Sequence, residues 1–117
     1  MINWKCENCG NNSKLKLEAE FAVDPIWCED CGSAIDLYTF PLTSSLKEDL
    51  LKWGNDYGKW IDFETDSLVI NGIELEEEFN KNGNKLAERI KGELGEKFTV
   101  TYSPSTSASM YYNYNNL

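Results

Sequence analysis

The four cysteines constrain this chain more than any other feature of its sequence. They form two pairs, each with two residues between its members and a glycine after it: Cys6 with Cys9, and Cys28 with Cys31. This short spacing lets both sulfurs of a pair face one ion. Eighteen residues separate the pairs, which is within the range typical of zinc sites. The sequence therefore predicts one tetrahedral zinc site with four thiolate ligands.

Two other states of these cysteines stay open from the sequence. Disulfides would leave the symmetry of the two pairs unexplained, and a reducing cytosol favours metal ligands over disulfides. Rubredoxins hold iron with a similar pair of Cys-x-x-Cys motifs, although the shorter separation here favours zinc. Four thiolates close the coordination shell and the chain contains no histidine, so we expect a structural ion with no catalytic role.

Alternating apolar residues predict strands beside the cysteine pairs. One strand is expected over 14–23 and another over 35–40, and Gly10 is expected to take a positive φ at the end of the first pair. In this order of cysteine pair, strand, cysteine pair and strand, residues 1–41 resemble a zinc ribbon. That resemblance implies two metal-binding knuckles on short antiparallel strands, and it implies no particular activity.

Helical spacing of apolar residues predicts two helices in the rest of the chain. The first covers about 45–61, and Ser44 or Ser45 is expected to be its N-cap. The second covers about 74–94, and the weak helix formers at 80–84 leave its continuity open. The apolar stripe of the first helix consists of Leu46, Leu50, Trp53, Tyr57 and Ile61.

These elements together predict an α+β protein. It consists of an antiparallel zinc ribbon at 1–41, followed at 42–103 by a small unit of two helices with one or two short strands. The strands of that unit are expected at 68–70 and 98–102. Residues 104–117 are rich in Ser, Thr, Tyr and Asn and are expected to form a flexible tail with little to bury.

The second half of the chain also resembles small uncharacterised proteins of Gram-positive bacteria. The shared pattern consists of Trp53, Tyr57 and Trp60-Ile61-Asp62, then Asn71-Gly72-Ile73-Glu74-Leu75, then Glu93-Leu94-Gly95. This resemblance implies a bacterial source and transfers no activity.

Charge and the absence of catalytic motifs limit the function. The formal net charge is −9, from 11 basic and 20 acidic residues, so the chain repels phosphate backbones and favours basic partners. It contains no Gly-x-Ser-x-Gly, phosphate-binding or dinucleotide motif. We therefore expect a protein that is not an enzyme.

The sequence favours a zinc-stabilised protein-interaction module in the cytoplasm, since it contains neither a signal peptide nor an apolar run of membrane-spanning length. One version is an immunity or inhibitor protein that masks a basic toxin such as a nuclease. The alternative is a zinc ribbon that contacts nucleic acid, or the transcription or translation machinery, through Lys14 and Lys16. The sequence leaves the partner, the process and the oligomeric state open.

Overall fold

A three-stranded sheet brings together two segments that are distant in the sequence. The computed structural model describes residues 2–115, with side chains as far as Tyr112. Strand β1 (Lys14–Leu17) lies in the middle of the sheet, between β2 (Ile26–Cys28) and β5 (Thr99–Tyr102). The β1–β2 pair is antiparallel and the β1–β5 pair is parallel. Because β5 follows β1 by some eighty residues, this parallel pairing ties the C-terminal part of the chain to the cysteine-rich part.

Helices and a small second sheet occupy the interval between these strands. Helix α1 (Ser44–Asn55) packs against α2 (Gly72–Leu94). In the sequence between these helices, strands β3 (Ile61–Asp62) and β4 (Ser67–Leu68) form an antiparallel pair. Helix α3 (Ser107–Asn115) follows β5 and contacts α2 and β4. The described residues thus form three helices and two small sheets, which confirms the predicted α+β class. No helix within 2–115 is both long and apolar enough to cross a bilayer.

One hydrophobic core connects all parts of the described chain. Its buried side chains form a single cluster that extends from Cys6 to Ala108. Within this cluster the ring of Trp53 stacks on that of Phe79, with centroids 4.5 Å apart, and the indole N–H of Trp53 donates to the Phe79 carbonyl. The boundary predicted at residue 41 stays a prediction, but the segments on its two sides share this core and one sheet.

Of the two strands predicted next to the cysteine pairs, the first is shorter than predicted and the second does not form. The first ends at Leu17, because the chain then enters a tight turn in which Ala22 has a φ of 59°. Residues 35–40 form no strand where one was predicted, and residues 37–39 form a turn. Side-chain oxygens replace the strand ladder there: Asp24 accepts from the Leu37 N–H, and Asp36 accepts from the Tyr38 N–H.

The first predicted helix is too long, and its predicted N-cap is wrong. Helix α1 ends at Asn55 rather than 61, since Gly58 takes a φ of 85° and reverses the chain. Thr43, rather than Ser44 or Ser45, is the N-cap, and its hydroxyl accepts from the Leu46 N–H.

The second predicted helix is continuous through its weak residues. Helix α2 runs from Gly72 to Leu94. Tertiary contacts stabilise the helix at 80–84, where the residues have low helix propensity. Asn80 bonds the Tyr102 hydroxyl and the backbone of Ser105. Gly83 lies directly beneath the Tyr102 ring. Glycine weakens an isolated helix, but here its lack of a side chain allows β5 to pack closely against α2.

A flexible tail was predicted from residue 104, but residues 107–115 form helix α3. Residues 116 and 117 lie outside the described part of the chain. Glu76 of α2 explains the difference. Its buried carboxylate accepts from the Ala108 N–H at 2.9 Å and from the Ser105 hydroxyl at 2.7 Å. A carboxylate at the first turn of α3 satisfies backbone donors and complements the helix dipole. Ala108 itself is fully buried.

Replacement of Gly83 by alanine should destabilise the fold although alanine favours helix. A Cβ at Gly83 would lie 2.5 Å from the Tyr102 Cε1, which forces the ring or the helix to move. We expect a loss of about 1–3 kcal/mol in the free energy of unfolding, measured by urea titration. The matched control is Gly92→Ala in the same helix, where no atom lies within 4 Å of the added Cβ apart from the adjacent residues and the helix backbone, and it should stabilise by about 0.5–1 kcal/mol. Equal effects of the two substitutions would refute this account of Gly83.

Replacement of Glu76 by alanine should detach α3. The change leaves the Ala108 N–H and the Ser105 hydroxyl without their acceptor, and we expect a loss of about 1–3 kcal/mol in the free energy of unfolding. Its exposed neighbour Glu77 supplies the control, since Glu77→Ala should change stability by less than about 0.5 kcal/mol. If Glu76→Ala is as stable as Glu77→Ala, the carboxylate does not anchor the helix.

Candidate metal centre

The structure brings the four predicted cysteine sulfurs to one point. All four Sγ atoms lie within 4.8 Å of one another. The Cys6 and Cys31 sulfurs are 3.7 Å apart, and those of Cys9 and Cys28 are 3.5 Å apart. Zinc–sulfur bonds of about 2.3 Å in a tetrahedron place neighbouring sulfurs about 3.8 Å apart. The four cysteines therefore have the ligand type, number and spacing to bind a metal ion.

The backbone of each cysteine pair forms the same turn. In the first, the Gly10 N–H donates to the Cys6 carbonyl at 2.9 Å, and in the second the Gly32 N–H donates to the Cys28 carbonyl at 2.9 Å. The φ angles of Gly10 and Gly32 are 81° and 77°, so the positive φ predicted for Gly10 is confirmed. Glycine takes this conformation without the steric cost that a side chain would impose.

Asn11 connects the two cysteine pairs, and it is not among the site residues predicted from the sequence. Its amide Nδ2 lies 3.2 Å from the Cys28 sulfur and donates to the Lys14 carbonyl at 2.6 Å. Its Oδ1 accepts from the N–H groups of Ser13 and Lys14. The side chain thus joins the first knuckle, the start of β1 and a sulfur of the second knuckle. Its position two residues after Cys9 was the only sequence signal, and asparagine there also suits an ordinary turn.

Hydrogen bonds separate the pKa values of the thiols. Bonds from the Asn8 side chain and from Ser33 lower the pKa of Cys31 to about 5. The Asn11 backbone N–H lowers the pKa of Cys9, but burial and bonds with the other three cysteines raise it overall to about 12. The thiols of Cys9 and Cys31 therefore differ in how readily they lose their protons. A divalent cation among them would favour the thiolate form of each.

Lys14 and Lys16, through which the alternative function would contact nucleic acid, both have acidic neighbours. The Lys16 Nζ lies 3.1 Å from a Glu18 oxygen, and the Lys14 Nζ lies 4.0 Å from an Asp30 oxygen. Lys16 also lies over the Trp27 ring, 5.8 Å from its centroid. These contacts offset the positive charge on which nucleic-acid binding at this strand would depend.

Comparison with known proteins identifies one family. A family described as Serratia CdiI immunity protein-like matches residues 13–105. This range covers all five strands, α1 and α2. It includes Cys28 and Cys31 and begins after Cys6 and Cys9. No curated protein matches the chain, and the comparison identifies no zinc-ribbon family.

Replacement of Asn11 by alanine should weaken metal binding while the four ligands stay in place. The change removes the amide that lies on the Cys28 sulfur and holds the first knuckle against β1. Loss of such a partner lowers metal affinity about 10–100-fold, which competition with a chromogenic chelator measures. Asn12→Ala alters the exposed neighbour and should bind metal as the wild type does. The same affinity for both variants would rule out this role for Asn11.

Proposed function

Because the chain belongs to the Serratia CdiI immunity protein-like family, we propose that it is an immunity protein, which binds a toxin and blocks its action. The observation that carries this proposal is the family match, which extends over most of the chain from 13 to 105. An immunity protein acts by direct contact with its toxin. Its function therefore depends on a stable surface rather than on a catalytic constellation, and we propose that the protein is not an enzyme.

We propose that one zinc ion holds the cysteine cluster together, as in a zinc ribbon. Cys6, Cys9, Cys28 and Cys31 would be its ligands, and their 3.5 Å and 3.7 Å separations support this assignment. Four thiolates leave no coordination position for water, so the ion would be structural. It would supply a rigid link between the first knuckle and β2. This requires reduced thiols, which is consistent with a protein that acts in the cytoplasm.

The partner that suits this chain is a protein with a basic surface. Five ion pairs link the described residues, so most of the 20 acidic side chains have no cation beside them. Complementary charge increases the rate of association and disfavours wrong partners. Toxins that act on nucleic acid have positive surfaces because they bind phosphate. The acidic surface would therefore compete directly with such a substrate.

Growth protection tests this proposal. The tagged chain would be used to isolate its partner from its own cells, and the partner would then be expressed alone and together with the chain. We expect the partner to arrest growth alone and to allow growth when co-expressed. We also expect the purified complex to weaken as salt rises, because exposed charges are screened.

A wild-type chain that relieves the toxicity of none of its isolated partners would contradict the proposed function. A salt-independent complex with a toxin would contradict the basic-partner assignment alone. Ile70→Ser is a suitable control variant, since the Ile70 side chain is fully exposed and the change should leave protection intact.

A further inference from the structure

A groove follows helix α1 and is separate from the cysteine cluster. Its larger part, about 420 Å³, lies between α1 and the turn that carries Leu37 and Tyr38. Its smaller part, about 100 Å³, lies between α1 and the turn at 20–25. Asp24 and Leu51 line both parts, so the two form one continuous surface, which we call the α1 groove.

Exposed apolar side chains are concentrated along the α1 groove. Tyr38 is 87% exposed, Leu51 46% and Val23 40%. Phe21, which is 51% exposed, precedes the Ala22–Val23 end of the groove. Single exposed apolar residues are normal in soluble proteins, whereas a contiguous strip with a polar rim marks a contact surface.

The rim of the α1 groove carries more negative than positive charge. Glu20, Asp24 and Glu48 line it, and none of these three carboxylates has an ion-pair partner within the described chain. The cation that lines the groove in the described residues is Lys47, and its Nζ donates to the Tyr38 carbonyl at 3.0 Å. The groove therefore offers apolar contact flanked by carboxylates that can accept cationic groups.

Hydrogen bonds set the shape of the α1 groove before any partner arrives. The Asp24 carboxylate accepts from the Leu37 N–H at 2.9 Å, which ties the two turns to each other. The Glu18 N–H donates to the Pro25 carbonyl at 2.9 Å and closes the turn that carries Val23. A preformed surface loses little conformational entropy when it binds.

We infer that the α1 groove is the toxin-binding surface, and that it takes a polypeptide segment with arginine or lysine side chains next to aliphatic ones. This inference rests on the proposed function. Charge complementarity selects this occupant: a second copy of the chain would bring another net charge of −9, and a nucleic acid would bring phosphates. A basic segment instead pairs with the carboxylates of Glu20 and Glu48, while its aliphatic groups cover Leu51 and Val23.

Amide NMR titration with a defined probe tests the chemistry of the groove. The probe is a short peptide of alternating arginine and leucine, and its control has glutamate in place of arginine. We expect the arginine peptide to shift amide signals of the 20–25 turn, the 36–38 turn and α1, and the glutamate peptide to shift none. Val23→Ser with Leu51→Ser should weaken binding of the arginine peptide about tenfold or more, and Ile70→Ser should not. Circular dichroism checks that each variant is folded.

A second variant, Glu20→Gln with Glu48→Gln, keeps the apolar strip and should also weaken binding of the arginine peptide. Equal binding by the wild type and both groove variants, or shifts spread over the whole acidic surface, would overturn the inference. Growth protection then separates the two claims. If the wild type and the folded groove variants protect equally, the toxin binds elsewhere and the immunity function stands. If the wild type protects against no partner, the proposed function fails, and the peptide titration alone decides whether the groove binds basic segments.

Discussion

We propose that a metal ion bound by four thiolates, from two loops separated by eighteen residues in the sequence, is the interaction on which this structure most depends. The strands next to them have only three or four residues each, and strands of this length are marginally stable by themselves. Cys28 ends β2, so a metal bound by the cluster would fix both the first knuckle and the edge of the sheet. The parallel β1–β5 pair then carries that constraint to α2 and the main core.

Local chemistry explains which parts of this structure the sequence predicts. The spacing of the cysteines brings each pair of sulfurs together through a single turn, so all four candidate ligands were identified and the structure clusters them. The 3.6-residue period identified α1 and α2, and the alternation at 98–102 identified β5. Each of these signals depends on residues that are close in the sequence.

The parts that the sequence does not predict depend on distant contacts. The Asp24 carboxylate accepts a hydrogen bond from the Leu37 N–H in the segment where a strand was predicted. The Glu76 carboxylate accepts one from the Ala108 N–H and so stabilises α3 from some thirty residues away. Glu76 belongs to a run of acids at the start of α2, where the helix dipole favours negative charge, and nothing in the sequence distinguishes it from its neighbours, yet this one side chain is buried. The partner of β1 across the sheet lies near the other end of the chain, and no local period indicates it. The immunity hypothesis came from charge and size, and the family match supports it at the level of an immunity protein.

The most direct test of the proposed structural zinc is the free energy of unfolding before and after verified removal of the metal, with all four cysteines kept reduced. Structural zinc in small peptides binds with about 10–16 kcal/mol, which is comparable to the total stability of a typical domain, about 5–15 kcal/mol. We therefore predict that the metal-free protein loses most of its stability and unfolds around the cysteine cluster. The same unfolding curve with and without metal would contradict this account.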